Sequence, residues 1–187
     1  MLFFMRIFLL PVLPVLFVFF QTAHADSYQY TVNSGDILEI SVWNEEALQK
    51  ELRVLPDGSI SFPLAGSIPV AGKSINQIQA ILKERLAEYI ADPVVNISVK
   101  SVEGNSIYVI GQVKKPGQFV MYQPMDVMQM LSLAGGLTAF AKANDIVILR
   151  RNGDKSEPIA FKYGEVEDGD KLENNHLLHS GDVIIVP

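Results

Sequence analysis

The chain contains no cysteine. That excludes a disulfide, a thiolate metal centre, a nucleophilic thiol and the acylated cysteine of a lipoprotein anchor, so an exported form must rely on packing alone. Basic residues are scarce as well: 15 Lys and Arg stand against 21 Asp and Glu, a formal net charge of -6, and they form no cluster. An acidic chain without a basic patch lacks the counter-charge a phosphate backbone requires, which excludes nucleic acid as a partner and gives no sign of binding to anionic lipid. Tryptophan occurs once, at Trp43. Beyond residue 25 no apolar run is long enough to span lipid, and the strand-like segments mostly fall short of the roughly ten residues of a transmembrane β-strand.

The long apolar run that does exist lies at the start. Arg6 precedes apolar residues 7–20, and Ala23-His24-Ala25 follows in the small-x-small pattern that signal peptidase cleaves. The expectation is a signal peptide over residues 1–25, cleaved after Ala25, with the mature chain beginning at Asp26. Pro11, Pro14 and the short apolar length disfavour an uncleaved anchor. Cleavage removes Arg6 and no acid, moving the net charge from -6 to -7. What remains can bury one core or two small ones.

Alternation and turn chemistry organise the mature chain. Leu38, Ile40 and Val42 alternate with Ile37, Glu39 and Ser41 behind Gly35-Asp36, which predicts a strand entered through a turn. Residues 52–55, Pro56-Asp57-Gly58 and the return through Ile60 and Phe62 predict a short hairpin, because Asp-Gly supplies the positive backbone angles of a tight turn. Ser74 and Gln77 have capping-box spacing, and Ile75, Ile78, Ile81, Leu82, Leu86 and Ile90 follow at helical spacing. Asp92-Pro93 is expected to stop that helix, since the residue before proline is pushed out of helical geometry.

Val95, Ile97 and Val99, then Ile107 and Val109 after Gly104-Asn105, predict a long hairpin joining two domains. Residues 117–121 read as a strand, and Pro124 opens a helix whose Val127, Met130, Leu131 and Ala134 share a face before Gly135-Gly136 ends it. Asn152-Gly153 between residues 146–149 and 158–161 signals another hairpin, and Val183–Val186 is a last strand. Ser34-Gly35-Asp36-Ile37-Leu38 is echoed by Ser180-Gly181-Asp182-Val183-Ile184. Shared turn chemistry accounts for the echo more simply than duplication, and either origin predicts two similar strand starts and no site.

Candidate chemistry is thin. Gly72-Lys73-Ser74 at a helix start invites comparison with a phosphate loop, but that loop needs a glycine where Ser67 stands, and Ser74 serves as an N-cap. His176 and His179, with Glu173 or Asp182, have the spacing of metal ligands, although imidazoles in a turn-rich segment are ordinarily solvated. Glycan hydrolysis would need facing carboxylates, for which Asp36, Glu45, Glu46 and Asp57 are available, but Asp36 and Asp57 lie at turns where a short carboxylate bonds its own backbone. No Gly-x-Ser-x-Gly elbow exposes a serine. Trp43 is expected to end a strand and pack on the core, stacking on a sugar being the other reading, and Tyr28 and Tyr30 share that ambiguity. The expectation is no enzyme, no cofactor and no metal.

Set in order, the motifs carry a resemblance. Tyr30, Val32, Gly35, Asp36, Leu38, Ile40, Val42 and Trp43, then Pro56-Asp57-Gly58, Phe62-Pro63-Leu64-Ala65-Gly66, Val70-Ala71-Gly72 and Asp92-Pro93-Val94 resemble the periplasmic domain of bacterial outer-membrane polysaccharide export proteins. Val109-Ile110-Gly111-Gln112-Val113, Lys115-Pro116-Gly117 and Ala134-Gly135-Gly136-Leu137 resemble the soluble-ligand-binding β-grasp module that follows in the same family. The resemblance implies an α+β fold: a small mixed-sheet polysaccharide export domain with one main helix over residues 26–103, then a β-grasp domain over 104–187. The motif positions carried over, with structural or interface roles, are Gly35, Asp36, Trp43, Asp57, Gly58, Pro63, Gly66, Gly72, Asp92, Pro93, Gly111, Pro116, Gly117, Gly135 and Gly136.

The family's function implies a homo-oligomeric ring conducting a polysaccharide, such as an exopolysaccharide or capsule, out of the periplasm with an inner-membrane copolymerase. Long members end in an amphipathic helix that joins its neighbours in a barrel through the outer membrane. Here the sequence ends at Pro187 after a strand, so a short form peripheral to the outer membrane with a separate porin is expected. The alternative is a periplasmic β-grasp module that binds a glycan or small ligand and regulates synthesis, and a glycan hydrolase or lyase is third.

Overall fold

Leu38, Ile40 and Val42 are buried while the residues between them face outward, and this alternation defines β1 (Ile37–Val42), the centre of a first core. The structure is a computed structural model that describes residues 29–153 and 155–187. The expected signal peptide, its cleavage position Ala25 and Tyr28 lie outside the described residues. β1 is flanked by two antiparallel neighbours, β2 (Glu45–Arg53) and β5 (Val95–Ser101). A separate hairpin, β3 (Ser59–Phe62) and β4 (Gly66–Pro69), and helix α1 (Ile75–Leu86) close the first core. Ile60, Phe62 and Ile68 of the hairpin and Ile78, Leu82 and Leu86 of the helix meet the β1 face there.

α1 forms as its spacing predicts. Ser74 accepts from the Gln77 backbone while the Gln77 side chain accepts from the Ser74 backbone, so two helix-end donors are satisfied reciprocally. Arg85 ties the helix to the hairpin by donating to the Ala65 and Ser67 carbonyls. Ser74→Ala should therefore cost about 1 kcal/mol. A urea titration followed by circular dichroism should show a lower midpoint at unchanged slope.

The second core is built around a mixed five-stranded sheet in the order β7 (Gly117–Val120), β6 (Ser106–Gly111), β10 (Val183–Val186), β8 (Ile146–Asn152), β9 (Lys155–Phe161). β10 runs parallel to β6, and the other pairings are antiparallel. Helix α2 (Val127–Leu133) lays Val127, Met130 and Leu131 into the same cluster as Ile107, Val109, Ile148, Phe161 and Ile184. A short α3 (Tyr163–Glu167) and a 3-10 turn, Leu172–Asn174, complete the α+β fold. No helix among the described residues is long and apolar enough to cross a membrane.

Four local expectations are corrected. Residues 52–55 do not pair with β3: Leu52 and Arg53 belong to β2 and face Leu38 and Ile37 of β1. Pro56-Asp57-Gly58 still turns, with Gly58 N–H donating to the Leu55 carbonyl, but β3 takes β4 as its partner. β5 and β6 likewise form no hairpin, because Val95 and Ile97 of β5 bury in the first core while Ile107 and Val109 of β6 bury in the second. α1 ends at Leu86 rather than at Asp92-Pro93. The Tyr89 and Ile90 amides both return to the Leu86 carbonyl, and that tighter turn lets Ile90 pack against the core. Finally, Asp126 rather than Pro124 starts α2, through a capping box with Gln129.

Candidate functional site

The two cores meet at Gly104. On the first side, Gly35 and Asp36 open β1, and the buried Asp36 carboxylate accepts from the Tyr30 hydroxyl at 2.5 Å, the Asn33 amide at 2.8 Å and the Gly104 amide at 3.0 Å. On the second side, Ser180 donates its hydroxyl to the Gly104 carbonyl at 2.8 Å. One residue thus has its N–H held by one half of the molecule and its C=O by the other. A side chain at this position would put its Cβ 2.3 Å from the Ser34 carbonyl oxygen. Arg53, donating to the Gly35 carbonyl and to Glu103, closes the outer rim.

The echoed motif has the same geometry twice. Asp182 is buried and accepts from the His179 amide at 2.8 Å, as Asp36 does from Asn33, three residues back in each case. Asp182 then differs by taking Arg150, at 3.0 Å to Nε and 2.7 Å to Nη2. Hydrogen bonding to Asp182 raises the Arg150 pKa above its ordinary value, so this guanidinium is a permanent charge. The two turns are strand starts, as the echo predicts.

The remaining motif positions assemble in pairs. The Gly58 carbonyl accepts from the Val70 and Ala71 amides, which seats the Asp57-Gly58 turn beside Gly72. Ser59, donating from its hydroxyl and its backbone N–H, holds the Asp57 carboxyl below its usual range. Pro63 lies in the turn between β3 and β4, and Gly66 opens β4. Asp92 pairs with Lys83 at the surface and precedes the buried Pro93. In the second half the Lys114 and Lys115 amides donate to the carbonyls of Gly136 and Ala134, clasping the loop after Gly111 against Gly135. Pro116 and Gly117 lead from that loop into β7.

No expected reactive set assembles as a whole: of the four candidate carboxylates only Glu45 and Glu46, neighbours in sequence, line one concavity. Asp36 is occupied by the Tyr30, Asn33 and Gly104 donors, and Asp57 by Ser59. Asp182 is engaged by Arg150, and among the described residues no group of His, Asp and Glu converges as metal ligands. Ser74 is the N-cap of α1, not part of a phosphate loop.

Trp43 overturns its expectation. It is 74% exposed rather than packed on the core. Trp43 and Asn44 form a two-residue turn between β1 and β2, with Val42 opposite Glu45 and Asn44 at φ 62. The Trp43 amide donates to the Val94 carbonyl at 2.9 Å, which fixes the tip to the start of β5. Beside it the register slips: Ile40 faces Lys50, and Val42 faces Glu45. Residues 46–49 stand opposite the single residue Ser41 and bulge from β2, and a concavity of about 360 Å³ opens between the bulge, the indole and Asn96. A second hollow of about 560 Å³ lies between the two halves, lined among others by Thr31, Asn33, Asn105, Arg151, His179 and Ser180.

Sequence reasoning missed the exposed tryptophan, the bulge and the role of Gly104. A helix-like composition hid β2, and Gly104-Asn105 signalled only a turn.

Comparison with known proteins adds the following. Residues 24–100 match the family described as polysaccharide biosynthesis/export protein, and residues 105–186 match the SLBB domain. The EPS I polysaccharide export outer membrane protein EpsA of Ralstonia nicotianae is 29% identical over 87% of this chain and 48% of that protein. The polysialic acid transport protein KpsD of Escherichia coli is 30% identical over 68% of this chain and 23% of its own length. The capsule polysaccharide export outer membrane protein CtrA of Neisseria meningitidis is 27% identical over 87% of this chain and 46% of its own. The chain thus spans about half the length of these relatives or less.

Proposed function

Because the chain belongs to the polysaccharide export family, we propose that it is a periplasmic component of a polysaccharide export machinery, carrying an exopolysaccharide or capsule polymer toward the cell surface. The observation that carries this reading is the tandem of a polysaccharide biosynthesis/export match and an SLBB match in one chain, in that order. In the proposal, residues 26–103 and 104–187 are its two domains, and residues 1–25 direct export and are removed after Ala25. The protein repeats as a homo-oligomeric ring around the polymer path. It works with an inner-membrane copolymerase on one side and a separate outer-membrane porin on the other.

Head-to-tail contacts close a ring when the rotation between copies is right. β2 and β5 at the edges of one sheet, and β7 and β9 at the edges of the other, offer backbone to a neighbour. Transport requires contacts that release the polymer, so the proposal assigns no catalysis. The hollow between the halves favours a second reading, a glycan or small-ligand binding module that regulates synthesis.

Deleting the gene and assaying extracellular and periplasmic polysaccharide separately distinguishes them. Export predicts polymer lost outside and accumulated in the periplasm. Surface polymer of normal amount and length would reject the conduit and favour the binding module.

A further inference from the structure

A large aromatic side chain at the tip of a two-residue hairpin does nothing for folding. The Trp43-Asn44 turn is made by the left-handed Asn44 and by the Trp43 backbone bond to Val94, neither of which uses the indole. Of the bulged residues 46–49 beside it, Leu48 alone enters the core. Bulges recur where a strand must re-aim side chains at a ligand. Here the bulge sets Glu46 and Gln49 around the concavity that holds Trp43, with Asn44, Glu45 and Asn96 on its other sides.

The composition of this concavity selects its ligand. The core of a protein interface is apolar and depleted of charge. Around Trp43 the apolar contribution is the indole, Val42 and Val94, and the other lining groups are one hydroxyl, amides and two carboxylates. One flat apolar face ringed by hydrogen-bonding groups matches a pyranose, whose C–H face lies on the ring while its hydroxyls reach the amides and carboxylates. No Lys or Arg lines the concavity, whereas Glu45 and Glu46 do. A uronate would be repelled, and an ammonium would gain from both the carboxylates and the indole face.

We infer that Trp43, with Asn44, Glu46, Gln49 and Asn96, forms a pyranose-stacking site for neutral or amino-bearing glycans that rejects acidic ones. The site rests on the export reading, whose polymer it narrows by charge class. Its volume of about 360 Å³ is that of a contact for one or two sugar units, consistent with a weak station along a path rather than a tight receptor.

Trp43 is the only tryptophan, so its fluorescence reports the site without labelling. The purified protein is titrated with a neutral β-glucan oligosaccharide, a chitosan oligosaccharide and an oligogalacturonate. The expected result is a saturable change in emission with the neutral or the amino oligosaccharide, and binding at least about tenfold weaker for the oligogalacturonate. By calorimetry Trp43→Ala should weaken binding about tenfold at an unchanged melting temperature, and Trp43→Phe should restore part of it. Unaltered emission with both preferred sugars, equal binding of the oligogalacturonate, or an unaffected alanine variant would each overturn the inference. So would emission that follows protein concentration alone, which assigns Trp43 to a contact between copies. The gene deletion is read independently: polymer trapped in the periplasm together with a silent titration keeps export and rejects the stacking site.

Discussion

Asp182→Ala should lower the stability of the second core by about 3–5 kcal/mol, the usual cost of removing one partner from a buried ion pair. The carboxylate is 1% exposed and takes two bonds from Arg150 and one from the His179 amide. The Arg150 side chain is itself only 16% exposed, so without its partner a guanidinium would remain largely out of water with the Leu177 carbonyl as its remaining bond. Asp182→Asn keeps an oxygen for the His179 amide but not the charge, and should fall between wild type and the alanine variant. Urea denaturation measures the loss, and amide exchange should locate it in β8 and β10. A cost below about 1 kcal/mol would mean that Arg150 swings into solvent and the pair is a surface contact in effect.

Gly111→Ala should cost about 2–5 kcal/mol for a different reason. A Cβ at this position would lie 1.9 Å from the Val186 carbonyl oxygen and 2.9 Å from its carbon, on a backbone with φ +94. The obstacle is main chain, and β10 is the central strand of the sheet, so it cannot retreat without loosening its ladders to β6 and β8. Overpacking of about 1–3 kcal/mol and left-handed strain of about 1–2 kcal/mol combine to about 2–5 kcal/mol. Gly66→Ala is the control, because φ is +69 there but no atom lies within 4 Å of the new Cβ. Only the strain, about 1–2 kcal/mol, should be lost. Equal costs for the two variants would refute the steric argument.

The elements that could be read in advance are those whose signal is local. Ser74 and Gln77 announce α1 because a capping box is complete within four residues, and Leu38, Ile40 and Val42 announce β1 because one of its faces is dry. Asn152-Gly153 announces the β8–β9 hairpin through turn chemistry, and Ser-Gly-Asp twice announces a strand start. What could not be read depends on partners distant in the chain. Glu45–Arg53 has the composition of a helix and becomes a strand because β1 leaves an edge for it, with Glu51 reaching across to Lys100. β5 and β6 look like two arms of one hairpin, and only the existence of two cores separates them.

The candidate site was less legible than the fold. A single tryptophan after an apolar strand is ordinarily part of a core. Its exposure here follows from its place at the turn and from a register slip that alternation does not encode. Most of the motif positions lie at turns and close approaches, where composition and geometry are tightly linked.

Residue Gly104 has a mechanical consequence. Its two polar groups are gripped from opposite sides, and its missing side chain leaves no room for slack. Tilting or twisting one half against the other therefore has to strain or break at least one of these bonds. In the proposed ring, a turn applied to one half of a subunit would load this joint before the other half could move.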